Sequence, residues 1–160
     1  MVSRSGSETR NKILAAAMEL FVFQGYERTG LAQIARRAEV LPGSLYHFFP
    51  TKEDLLRATL ELRLELLQPE VLDPIWSRID DPLERVFGLL DGYRQMLLMT
   101  EFQHGCPIGN LVLELAESHP KIRQLLAANF DNWKNAVAEC FRAAAERLPA
   151  SSAAPLPGRH

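Results

Sequence analysis

Residues 29–52, TGLAQIARRAEVLPGSLYHFFPTK, decide the fold. Ile34, Ala35 and Ala38 recur on one face of a short helix, with Thr29 placed to cap its start. A tight turn comes next. The second helix opens with Pro42 at a first-turn position, where the missing N–H costs nothing. Leu45, Phe48 and Phe49 take the spacing of a buried helical face, and Ser44, Tyr46 and His47 are left pointing away from it. Thr51 is placed to cap a third helix, with Asp54 as its partner. A short amphipathic helix, a turn and a second helix with a small polar outer face make the helix-turn-helix layout. Its second helix is shaped to enter a DNA major groove.

The pattern VLPGSLYHFFPTKEDLL, preceded by FVFQGYERTGLAQIARRAEV, resembles the N-terminal DNA-binding domain of the TetR/AcrR family of bacterial transcriptional regulators. The resemblance covers about residues 7–67. An apolar helix, then Gly-Tyr, Thr, Ile-Ala, Gly-Ser-Leu-Tyr-x-x-Phe and Thr-Lys-Glu all fall in register. Two positions depart from the family. It usually has Gly where this chain has Glu39, so Glu39 is expected at positive φ unless the turn differs. It often has Ser or Thr where this chain has Leu41, which leaves the second helix without a side-chain cap at a cost of about 1 kcal/mol.

Charge is asymmetric. Residues 1–52 carry seven Arg or Lys against four Glu, a balance of +3, whereas residues 53–160 carry −5. A positive head on a negative body suits a protein that presents one end to phosphates. No run of eighteen apolar residues marks a membrane span. The polar start MVSRSGSETRNK lacks a signal-peptide stretch, and Cys106 and Cys140 have no zinc or redox spacing. The expected compartment is the cytoplasm.

Residues 1–6 read as a loose arm. Ser7 starts a first helix with Ile13, Leu14, Ala17, Met18, Leu20 and Phe21 on one stripe, closed by Gly25 as a left-handed cap. The leucine-rich helix 52–68 carries more apolar surface than one face needs and is expected to be buried on two sides until Pro69 ends it. Asp73-Pro74 and Asp81-Pro82 signal two more starts, the first for a short helix with Ile75, Trp76 and Ile79, the second for a long helix to about Phe102. Gly105, Pro107 and Gly109 mark a break ahead of a helix with Leu111 and Leu115. Pro120 then starts a last long helix, and SSAAPLPGRH is expected to be disordered. The expected fold is all-α with about seven to eight helices: a helix-turn-helix domain at 7–67, a helical effector and dimerisation body at 68–148, and a tail at 149–160. The body resembles that of the same family more loosely, through a Gly-Cys-Pro break ahead of Gly-Asn-Leu. The resemblance implies two further helices, with which the family builds its dimer, beyond the last one read here.

The candidate DNA-binding residues are Thr29, Gly30, Pro42, Gly43, Ser44, Tyr46, His47 and Lys52. The Ser44 and Tyr46 hydroxyls suit phosphates, His47 suits a base edge or the backbone, and Gly43 permits close approach. Thr29 and Gly30 lie at a helix N-terminus, where N–H groups and the helix dipole attract anions. Lys52 matches the family's backbone-contacting lysine. At least one of Arg36 and Arg37 is expected only to solvate its helix. No outward Arg, Asn or Gln offers a bidentate base contact, so shape and phosphate contacts should contribute much.

In the body, Trp76, Phe87, Tyr93, Met96, Phe102, Phe130 and Trp133 read either as packed core or, as the resemblance implies, as a cavity for an apolar or aromatic effector. Cys106, just before a helix start, joins that candidate pocket as a thiol sensor or as an inert filler. Ser118-x-x-Lys121 lacks the companion motifs of the serine–lysine enzymes. Glu114, Glu117 and His119 lack the spacing of a metal-binding helix. Neither an enzyme nor a cofactor or metal is expected. The resemblance implies a ligand-responsive repressor, a homodimer on a near-palindromic double-stranded operator. The competing reading is a truncated sensing or interaction module that pairs with a full-length relative and does not bind DNA alone.

Overall fold

The computed structural model describes residues 4–103 and 105–147, and among them every regular element is helical. The expected arm before residue 4 and the tail at 149–160 lie outside the described residues. The elements are α1 (Arg4–Gln24), α2 (Leu31–Arg37), α3 (Pro42–Phe48), α4 (Lys52–Leu66), a π-helical segment (Leu67–Leu72), α5 (Asp73–Trp76), α6 (Pro82–Met99), α7 (Pro107–Leu115) and α8 (Pro120–Arg147). Among the described residues no helix is long and apolar enough to cross a membrane.

α1 begins at Arg4, three residues before the expected Ser7. Its stripe is core: Ile13, Leu14, Ala17 and Phe21 are fully buried. Gly25 ends it at φ +85°, its N–H donating to Phe21 O, and Tyr26 folds back with its ring 5.5 Å from Phe21. Thr29 does not cap α2. It is buried, and its hydroxyl donates to Gly25 O (2.7 Å) and Leu20 O (3.3 Å). The last carbonyls of a helix have no intrahelical donors, and Thr29 supplies one to α1. The cap of α2 is Gly30, whose N–H donates to the Gln33 side chain at 2.8 Å.

The turn between α2 and α3 has the geometry of a Schellman motif. Val40 N–H donates to Ala35 O and Glu39 N–H to Arg36 O, with Glu39 at φ +56°. Glycine normally sits there because a Cβ crowds the following carbonyl. Thr51 caps α4 as expected: it accepts from Asp54 N–H and donates to the Asp54 carboxylate. That donated bond holds the Asp54 carboxyl below its usual range.

α4 packs on α1 along one side and α8 along another. Leu55, Leu56 and Leu60 are fully buried, each fully buried leucine contributing roughly 1.5–3 kcal/mol. Two asparagines fasten α8 to it, Asn129 to Leu60 O and Asn132 to Leu64 O. Pro69 does not end the helix. Its ring would collide with the carbonyl four residues back in an α-turn, and the chain widens into π-turns over Leu67–Leu72 that run directly into α5. Asp73 is thus inside the helical path rather than a cap and accepts from the Gln68 side chain. Ile79 falls beyond α5. Asp81 does cap α6, accepting from Leu83 and Glu84 N–H, with Pro82 in the first turn. α6 stops at Met99, short of Phe102, in a second Schellman turn with Glu101 and Phe102 at positive φ.

The main core does not stop at residue 67. Ile108, Leu111 and Leu115 of α7 and Ile122 and Leu126 of α8 join the α1–α4 cluster. A second, smaller cluster gathers Leu67, Leu72 and Leu89 with Trp76, Tyr93 and Trp133.

Two backbone substitutions test these turns. Glu39→Gly should raise the unfolding free energy by about 0.5 kcal/mol, because a relieved left-handed penalty of about 1–2 kcal/mol outweighs the entropy glycine adds to the unfolded chain. Gly25→Ala should lower it by at least about 1 kcal/mol, combining the left-handed φ with a Cβ only 2.9 Å from Glu114 Oε2. Urea unfolding of the three proteins decides both signs.

Candidate nucleic-acid interface and effector cavity

α3 is anchored by Leu45, fully buried, and by Phe49 just past its end, also buried. That anchoring turns Pro42, Gly43, Tyr46 and His47 to solvent, with Ser44 half-buried. His47 packs edge-on against Phe48. A Cβ added at Gly43 would meet nothing within 4 Å, so packing within the chain does not demand glycine there. Leu41, the cap of α3, makes no side-chain cap bond and is 75% exposed. It extends the outward face by one large apolar group. In the sequence Leu41 shows only as a lost cap, and its exposure is set by the turn geometry.

The other candidates around α3 divide. Thr29 is withdrawn: its hydroxyl is spent inside and its N–H donates to Tyr26 O. Gly30 is exposed, but its N–H is held by Gln33. Lys52 is half-buried, and its ammonium donates to Tyr26 O at 3.0 Å while lying 4.1 Å from the Tyr26 ring centre. An ammonium has three donors, so the internal bond leaves capacity on the outer side. Of the paired arginines on α2, Arg37 grips Glu19 of α1 through two nitrogens, at 2.6 and 3.1 Å, and so braces α2. Arg36 is exposed.

Beneath Lys52 lies a contact that spans the chain. The Glu114 carboxylate of α7 accepts from Tyr26 N–H at 2.8 Å and from Glu27 N–H at 2.6 Å. Both donors are freed by the turn that ends α1. His119, beyond α7, meets the Tyr26 ring edge-on at 5.7 Å. Burial first, then Glu53, Glu27 and Glu114, push the Tyr26 phenol up, so the ring under Lys52 stays neutral. In the sequence Glu114 belongs only to a trio with the wrong spacing for a metal, and nothing local marks this role.

A cavity of about 290 Å³ lies among α4, the π-segment, α5 and α6. Of the eight pocket candidates it includes two, Tyr93 and Met96. Trp76 and Trp133 pack beside it in the smaller cluster, with the Trp133 ring 5.1 Å from Tyr93. Phe87, Phe102 and Phe130 are exposed, at 63%, 69% and 44%. Helical period places a side chain on a face but does not say which face meets a neighbour. Cys106 is exposed and caps α7 through a 3.4 Å bond from Gly109 N–H. The lining also holds Arg63 and Glu70. Arg63 does have a signal in the sequence: it is the one cation inside the leucine-rich run LELRLEL.

An outward α3 seated on α1 and α2 defines a helix-turn-helix DNA-binding protein. The sequence model of "Bacterial regulatory proteins, tetR family" matches residues 13–59, and that of "Tetracyclin repressor-like, C-terminal domain" matches residues 82–151. The transcriptional regulator LmrA of Bacillus subtilis is 31% identical over 139 residues, covering 86% of this chain and 73% of LmrA. The crystal structure of regulatory protein TetR from Rhodobacter sphaeroides superposes with a TM-score of 0.74 at 26% identity, covering 88% of this chain and 75% of that one. A regulator from Saccharomonospora viridis solved in complex with choline matches at a TM-score of 0.71 and 25% identity, over 88% of this chain and 72% of its own. The chain belongs to the TetR family, and it is a DNA-binding transcriptional regulator.

Glu114→Ala should strip two backbone donors of a charged acceptor at a cost of about 2 kcal/mol. Amide exchange measured by NMR should show Tyr26 and Glu27 losing protection out of proportion to buried amides such as Leu45. Uniform loss across the chain would mean that Glu114 only adds global stability.

Proposed function

We propose that this chain is a ligand-responsive repressor that works in the cytoplasm as a homodimer on a near-palindromic double-stranded operator. The observation that carries the reading is the outward face of α3, where Gly43 is open to solvent beside exposed Tyr46 and His47. In this reading residues 7–67 supply the DNA surface and residues 68–148 the effector and dimer surfaces. Pro42 and Gly43 bring the start of α3 against the groove. Ser44 and Tyr46 donate to phosphates, His47 meets a base edge or the backbone, and Lys52 holds a phosphate with its spare donors. Gly30 approaches the backbone without a side chain in the way. Thr29 acts from within, by fixing the end of α1. Leu41 offers apolar contact to a thymine methyl, which would partly supply the base readout that the polar residues lack.

The effector reading rests on the cavity at Tyr93 and Met96 and on the family's other members, one of which holds choline in its structure. A ligand there favours one of two arrangements of the heads and releases DNA to the extent that it binds that arrangement better.

Fluorescence anisotropy against DNA from the chain's own flanking intergenic region, with scrambled DNA as control, tests the reading. Specific binding should saturate at two chains per site. Tyr46→Ala should weaken it, and Lys52→Ala should reduce the slope of log affinity against log salt by about one. Binding no tighter than to scrambled DNA, unchanged by either substitution, favours the module that must pair with a relative.

A further inference from the structure

The cavity among α4, α5 and α6 is not uniformly apolar, and its polar groups are unevenly satisfied. Two arginines beside this region, Arg63 and Arg85, are half-buried. Arg85 donates to the carbonyls of Ile79 and Trp76. The Arg63 side chain has no hydrogen bond and no ion pair among the described residues, although it lines the cavity. The Tyr93 hydroxyl, on the same lining, likewise has no protein partner there. The two groups are neighbours on this lining: burial first, then Cys106, push the Tyr93 phenol up to about 12, against the Arg63 charge, which lowers it. Tyr93 is therefore a neutral O–H donor. The acid on the lining, Glu70, is exposed and forms no ion pair with Arg63. Between these groups the walls are Val71, Ile75, Leu89 and Met96.

Among the described residues no buried side-chain nitrogen or oxygen lacks a partner, so the unpaired guanidinium of half-buried Arg63 is open to solvent and free to meet a ligand in the cavity. Its planar fork matches a carboxylate through two parallel bonds. Resting on the effector reading of this cavity, we propose that its ligand is a small carboxylic acid with an apolar body. Arg63 clamps the carboxylate, Tyr93 donates a further bond, and the apolar part lies against Val71, Ile75, Leu89 and Met96. A cavity of about 290 Å³ is at the small end for ligand sites, which suits an acid the size of benzoate or hexanoate.

Arg63 also belongs to a second cavity, about 230 Å³, walled by Asn11, Leu14, Ala15 and Met18 of α1. A carboxylate that fixes Arg63 on the α6 side fixes a side chain that also lines the cavity against α1. The ligand anchor is thus part of the wall against α1.

Isothermal titration of the full chain, without DNA, with sodium benzoate and sodium hexanoate is the direct test. Benzyl alcohol, hexanol and choline serve as neutral and cationic controls. The acids should bind at least about tenfold tighter than their alcohols. Arg63→Met should abolish that preference, Arg63→Lys should restore part of it, and Tyr93→Phe should weaken the acids about threefold to tenfold. Circular dichroism checks that each variant is folded. Equal binding of acids and alcohols, preference for choline, or no heat from either acid at about 10 mM would overturn the proposal. Because the titration contains no DNA, it fails independently of operator binding. Binding of a control probe instead would keep an effector site and change only its class.

Discussion

The rest of the molecule depends on how the chain leaves α1. Gly25 turns left-handed there, and the turn releases two backbone N–H groups that have no helix to join. The Glu114 carboxylate, from a helix almost ninety residues later in the chain, accepts both. Bonds to a charged acceptor are stronger than neutral ones, and these two, one part-buried and one exposed, together contribute about 2 kcal/mol. Their position matters more than their sum. Tyr26, whose N–H is held by Glu114, offers its carbonyl and its ring to Lys52. Thr29, three residues on, closes the end of α1. One loop therefore fixes the end of α1, the entry to α2, the start of α4 and the position of α7. A residue at 25 with a side chain would displace the carboxylate as well as strain the backbone.

The second constraint is on α4. A helix with one apolar stripe needs one partner, whereas α4 has two, α1 and α8. Its leucines satisfy both, and its polar links are made by the partner: Asn129 and Asn132 of α8 reach the carbonyls of Leu60 and Leu64. Asn129 is buried, so its amide would be costly without the two carbonyls it meets, Leu60 and Leu125. That requirement fixes the register of α8 along α4, which leucine packing alone would leave free to slide.

What is legible in the sequence is what local chemistry decides. Gly25, the Thr51–Asp54 cap and the Asp81 cap each depend on residues within four positions of one another, and each is as expected, whereas the positive φ at Glu39 is what the family resemblance implies. The outward face of α3 is legible for the same reason: its period is short and its anchors, Leu45 and Phe49, are large. The misreadings come from partners distant in sequence or from geometry the pattern does not encode. Thr29 has the look of a cap for α2 and instead serves α1, the helix before it. Pro69 looks like a stop, but a π-turn absorbs its ring. Phe87, Phe102 and Phe130 have the size of pocket residues and face solvent: aromatic size says nothing of which face of α6 or α8 meets a neighbour, and Phe102 lies in the turn beyond α6. Glu114 has no local signature at all.

The two hydrophobic clusters set how motion could pass from body to head. α7 and the first half of α8 share one core with α1–α4, so they cannot move independently of the DNA-binding helices without opening close-packed leucines. α5 and α6 belong to the smaller cluster, which has three buried members and is closed by half-buried aromatics. The cavity lies across this softer packing, with Arg63 on the α4 side and Tyr93 on the α6 side. A ligand that draws the two together shifts α6, and α6 packs along α8. In the proposed mechanism, therefore, the displacement passes through α8 to the shared core and turns α7 and the DNA-binding helices as one body.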